Sequence, residues 1–153
     1  MELADTSKTV STFKNMHLLI YDADGRISSA IHEPIPENYI NEVCEKQKLN
    51  YLLCEGARPP IDLYSHWYVD ILDYTLRPRT DIPVSISKTV IKADNVDHTV
   101  LSNLPIPTTI RLNDEDYLVE DGIFEMSADV IGDYVLTISS WPHHDLTVTI
   151  TAE

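Results

Sequence analysis

The period of apolar and polar positions changes along this chain, and the change predicts two modules. Short apolar-rich runs at His17–Tyr21 and Arg26–Ile31 flank Asp22-Ala23-Asp24-Gly25, and Asp-Gly between such runs predicts a β-hairpin. Pro34 and Pro36 interrupt the extended pattern. Ile40, Val43, Cys44 and Gln47 then recur at helical spacing, predicting one helix over Asn38–Lys48 with Pro36 and Glu37 at its start. Tyr51–Cys54 reads as a short buried strand. Trp67–Leu72 alternates Trp67, Val69 and Ile71 with Tyr68, Asp70 and Leu72, the pattern of a strand covered mainly on one face. Leu76-Arg77-Pro78-Arg79 is extended, because the residue before a proline is pushed out of helical space.

From Ile82 onward nothing has helical period, and candidate strands arrive at β-sandwich spacing: Val84–Ile91, Thr108–Leu112, Tyr117–Glu120, Ile123–Met126, Asp133–Ser139 and Leu146–Thr151. Asn113–Asp116 and Asp121-Gly122 read as turns joining them. In the last strand Leu146, Val148 and Ile150 face one way and Thr147, Thr149 and Thr151 the other. The segment from Ala128 to Tyr134 resembles the corner at which immunoglobulin-like domains set a tyrosine to hydrogen-bond back to the chain. The expected fold is therefore mainly β: an N-terminal β-hairpin module with one helix over 16–80, then an immunoglobulin-like antiparallel β-sandwich over 81–153. The polar stretch 1–15 is expected to be an arm that orders against a neighbour.

Composition agrees with a folded chain. Of 153 residues 43% are hydrophobic, enough for a core that needs neither disulfide nor metal. The two cysteines, Cys44 and Cys54, read as free buried thiols. No run approaches the roughly 18 apolar residues of a membrane-spanning helix, and the first residues lack the pattern of a signal peptide, so synthesis in the cytoplasm and no membrane insertion are expected. Net charge is −14 and unevenly placed: from Ala93 to Glu153, 12 acidic side chains stand against Arg111 alone. Such a surface repels phosphates, which excludes nucleic acid as an expected partner and leaves a solvated face or a dock for a basic partner.

Candidate chemistry is sparse. His143-His144-Asp145 carries metal-ligating residue types, but adjacent residues on an extended chain point apart and no third histidine lies at short spacing, so a polar turn is the expectation. Asp22 and Asp24 before Gly25 begin like a calcium loop, yet Arg26, Ile27 and Ser28 follow where further ligands are needed. Gly-x-Ser-x-Gly is absent, and the four glycines are isolated, each near a turn. Neither catalysis nor a metal or other cofactor is expected. Arg77 and Arg79 flank Pro78 on a stiff segment and suit bidentate pairing with carboxylates, either of a partner or of the chain itself. Nearby Trp67 and Tyr68 belong to an aromatic-rich stretch that serves a core or an interface.

In order and spacing, several segments resemble small structural proteins encoded among the tail genes of tailed bacteriophages. They are Ile20–Ile27, Tyr68-Val69-Asp70 followed by Leu76–Arg79, Leu101–Pro107, and Gly132-Asp133-Tyr134 with Trp141-Pro142. The resemblance implies a virion component, tail, fibre or connector-associated, acting by protein–protein contact with other virion proteins and as a homo-oligomer in the particle. It implies no catalytic residue. Arg77, Arg79, Trp67 and Tyr68 are the expected partner-binding residues. The alternative is a recognition domain for a host-surface carbohydrate, using Trp141, His143, His144 and Asp145 to stack and hydrogen-bond.

Overall fold

The computed structural model describes residues 12–153, which divide into two compact units between Pro78 and Arg79. The arm expected over 1–15 lies outside the described residues as far as residue 11. Beyond it, Thr12–Phe13 form a short strand, β1.

The first unit is built on β2 (Met16–Tyr21), β3 (Ile27–Ile31) and β5 (Asn50–Glu55), an antiparallel sheet in the order β3-β2-β5. The central strand is buried on both faces. Leu19 and Tyr21 face one core, with Leu63 and Val69; Leu18 faces the other, with Ile35 and Cys44. Fully burying a leucine is worth roughly 1.5–3 kcal/mol, so Leu18 and Leu19 each anchor a different layer to one strand. Leu18's layer contains β4 (Ile35–Pro36), paired with β1, and the turns that follow. Leu19's layer contains the short helix α2 (Leu63–His66) and a hairpin of β6 (Trp67–Asp70) and β7 (Thr75–Pro78).

Two expectations are corrected here. The helix over 38–48 is one α turn, α1 (Glu37–Tyr39), running into a π-helical segment, Ile40–Glu45. The amide of Leu49 donates to Cys44 O at 2.8 Å, a wide turn that helical periodicity does not distinguish from an α turn. The strand expected over 67–72 ends at Asp70, whose carboxylate accepts the Leu72 amide at 3.0 Å and turns the chain. Ile71 and Leu72 are left exposed.

The Asp22–Gly25 turn matches its sequence signal. Asp22 Oδ1 accepts the amides of Asp24 (2.9 Å) and Arg26 (3.0 Å), which employs this carboxylate inside the turn. Gly25 has φ 86°, and its carbonyl accepts the Val69 amide at 2.9 Å. A Cβ there would stand 2.0 Å from the Val69 carbonyl oxygen.

The second unit is a β-sandwich. One sheet has the order β8-β10-β13, from β8 (Ser85–Ile86), β10 (His98–Ser102) and β13 (Phe124–Ser127). The other has the order β12-β11-β14-β15-β9, from β9 (Val90–Ile91), β11 (Thr108–Leu112), β12 (Glu115–Val119), β14 (Gly132–Ser139) and β15 (Leu146–Ala152). Leu101 and Met126 from the first sheet pack with Ile110, Leu136, Ile138 and Ile150 from the second in one core. Tyr134 Oη donates to Val130 O at 2.8 Å, the expected tyrosine corner. These sheets and this corner make the unit immunoglobulin-like.

Sequence and structure differ at two strands. Val84–Ile91 is not one strand: β8 pairs antiparallel with β10, while β9 crosses to the other sheet and pairs parallel with β15. The crossing is pinned where the buried Thr99 hydroxyl donates to Lys88 O. Strand β10 itself escapes the hydrophobic pattern because its buried positions are Thr99 and Leu101, one of them polar. Between β9 and β10, Asp94 accepts the amides of Val96 and Asp97, and Asp97 accepts the Lys92 amide and pairs with Lys88. Hydrogen bonds from the Asp97 and Val96 amides hold the Asp94 carboxyl below its ordinary range, and the Lys88 ammonium leads the same effect at Asp97.

Gly25→Ala is expected to destabilise the protein by about 2–4 kcal/mol, combining left-handed backbone strain with overpacking, as read by urea denaturation. Carboxyls whose folded pKa is depressed contribute stability above the unfolded value and lose it as pH falls through the folded one. Thermal stability of the second unit is therefore expected to decline below about pH 4, and Asp97→Asn to flatten that decline.

Candidate interaction surface

Of the residues singled out by sequence, the two arginines are employed within their own units. Arg77, on β7, pairs through Nε with Asp70 at 3.1 Å and through Nη2 with Asp73, whose carboxyl also accepts the Thr75 hydroxyl at 2.6 Å. The Thr75 and Arg77 side chains depress the Asp73 pKa, and Asp73 raises that of Arg77. Arg79 opens the second unit. Its Nε donates to Pro142 O at 2.9 Å and its Nη2 to His143 O at 2.7 Å, while the guanidinium carbon lies 4.7 Å from the centre of the Trp141 ring. The fork that suits carboxylates is here closed on two carbonyls and an aromatic face.

The other candidates separate in the same way. Trp67 is half-buried against the Leu19 core, and Tyr68 is half-buried on β6. Trp141, His143 and His144 are half-buried around the turn that Arg79 holds, and Asp145 is exposed. His143 N donates to Ser140 O, His144 N to Thr80 O, and His144 Nδ1 lies 3.0 Å from Asp81 Oδ1. These bonds tie residues 79–81 to residues 140–144 as a lock on the end of the sandwich. Among the described residues no three His, Cys, Asp or Glu side chains gather as a metal would require. Cys44 is buried, Cys54 half-buried, both are free, and burial pushes both thiols up.

A surface that the sequence did not single out lies at one side of the sandwich, between β12 and β13. These strands are the ends of opposite sheets and are joined through Glu120–Ile123, so the gap between them is an open cleft of about 460 Å³. Its apolar lining is exposed: Leu118 at 64%, Ile123 at 49% and Tyr117 at 40%. Phe124 lies behind, with ring centres of Tyr117 and Phe124 5.8 Å apart at 57°. Glu120, Asp121 and Glu125 line the same cleft. Glu115 accepts the Tyr117 hydroxyl at 2.9 Å and thereby raises its pKa. The cleft thus sets exposed apolar side chains beside carboxylates.

No family model and no curated protein matches the chain. A similar solved structure is a glycosyl hydrolase family 2 member from Bacteroides cellulosilyticus, 11% identical, with a TM-score of 0.36 over 90% of this chain and 21% of that one. The chain spans about a fifth of the length of that protein.

Arg79→Ala is expected to lower stability by about 2–4 kcal/mol, through two lost charge-assisted hydrogen bonds and a cation–π contact, as measured by guanidinium denaturation. A stability unchanged within about 0.5 kcal/mol would show that these contacts contribute little to the fold.

Proposed function

We propose that this chain is a structural or adaptor component of a tailed-phage particle, acting by protein–protein contact through the β12–β13 cleft of its immunoglobulin-like unit. The observation that carries the reading is the exposure of Leu118, Ile123 and Tyr117 along one open edge of the sandwich. The order of tail-protein-like segments along the chain supports the setting. Arg77 and Arg79, assigned to partner binding from sequence, are each engaged within their own unit, Arg79 in the one that presents the cleft. The particle supplies many copies of a docking site, so a contact of modest strength suffices to retain the protein.

Mass spectrometry of gradient-purified particles tests this. The chain is expected in the particles, and Ile123→Asp is expected to lower its incorporation roughly tenfold, the effect of losing part of one isoleucine's burial, with circular dichroism unchanged. Absence from particles, or glycan-array binding that disappears with Trp141→Ala, would replace this reading with the carbohydrate one.

A further inference from the structure

β12 offers more than an apolar contact, because half of its main-chain groups have no strand beside them. Asn113 (φ 51°) and Asp114 (φ 63°) both lie in the left-handed region, the pair of conformations that a two-residue type I′ hairpin demands. Such a hairpin closes on a hydrogen-bonded pair, here Leu112 with Glu115, and the register then runs Arg111–Asp116, Ile110–Tyr117, Thr109–Leu118 and Thr108–Val119. Hydrogen-bonded and open pairs alternate in an antiparallel ladder. Glu115, Tyr117 and Val119 therefore bond to β11, and Asp116 and Leu118 direct their N–H and C=O groups outward, where β12 ends its sheet.

We propose that the outer edge of β12 accepts an extended segment of a basic partner protein as an added strand, its apolar side chains in the cleft and its cationic ones on the acidic rim. The inference rests on the reading of this cleft as a docking surface and names its partner. Three observations select the occupant. The free edge supplies main-chain hydrogen bonds that only an extended peptide satisfies in register. Tyr117 and Ile123 give alternate apolar side chains a place to bury. The rim is anionic: Glu120 and Glu125 have no cation in ion-pair range among the described residues, and Asp116 has only Arg111 at 4.0 Å. A second copy of this chain, with net charge −14 and the same acids on the same edge, is repelled. The charge pattern thus selects a basic strand and protects the edge from self-pairing.

Titration of the full chain with a short synthetic peptide alternating lysine and valine, followed by amide NMR and hydrogen exchange, tests this. The Asp116 and Leu118 amides are expected to shift and gain protection, while Tyr117, already bonded to β11, changes little. Affinity is expected to fall roughly tenfold from low to physiological salt, and a glutamate-for-lysine peptide to leave the spectrum unchanged. Leu118→Pro removes an outward donor at a position an edge strand tolerates, and is expected to abolish binding with Tyr117 protection retained. Should that variant unfold, Glu120→Gln combined with Glu125→Gln is expected to weaken binding at least threefold. Peptide that binds elsewhere, binds equally at high salt, or leaves Asp116 and Leu118 unprotected overturns the strand-addition proposal. If particles nonetheless contain the chain, and Ile123→Asp displaces it, the adaptor reading stands without the added strand.

Discussion

Carboxylates accepting main-chain amides hold this molecule's turns in shape. With 25 acidic residues against 11 basic ones, most carboxylates must find partners other than cations. Asp22 takes the amides of the first hairpin turn, Asp70 that of Leu72, Asp94 those of Val96 and Asp97, and Asp121 that of Ile123 at 3.1 Å. Each satisfies loop donors that would otherwise need water, and each fixes the angle at which one strand leaves and the next arrives. The acidic composition is thus partly architectural. Among the carboxylates that hold no turn are Glu120 and Glu125, on the rim of the β12–β13 cleft.

The same division separates the two kinds of charged residue that sequence brings forward. Arg77 and Arg79 stand out in an acidic chain, yet a guanidinium has many acceptors close by and is readily absorbed. Arg77 meets two aspartates four and seven residues before it; Arg79 meets the carbonyls of a turn more than sixty residues away. Glu120 and Glu125 look unremarkable among so many acids, but they flank exposed apolar side chains. Position next to Ile123 and Leu118, rather than rarity of charge, distinguishes them.

Much of the architecture is legible from local pattern. The Asp22–Gly25 hairpin, the strand at Asn50–Glu55, the alternation of Leu146–Thr151 and the tyrosine corner at Tyr134 all depend on neighbours within a few residues, where turn chemistry and a period of two speak directly. What escaped depends on distant partners. Thr99 passes for a surface residue until the Lys88 carbonyl is placed beside its hydroxyl, and Val84–Ile91 looks continuous until its two halves are seen to pair in different sheets. The cleft escaped because Leu118 and Ile123 have the residue types of core strands. Only the order of strands shows that β12 and β13 end their sheets.

The parallel pairing of β9 with β15 gives the second unit a particular relation to tension. β9 lies near the start of that unit and β15 at residue 152, and the pair is tied by Thr151 N to Thr89 O, Glu153 N to Ile91 O and Ala93 N to Glu153 O. A pull that separates residue 79 from residue 153 drags these two strands past one another along their length. The three bonds are then loaded together, in shear, and must yield together. An antiparallel closure at the same ends would be peeled open one bond at a time. The crossing of β9 from one sheet to the other thus provides the sandwich with a mechanical fastening between its two termini.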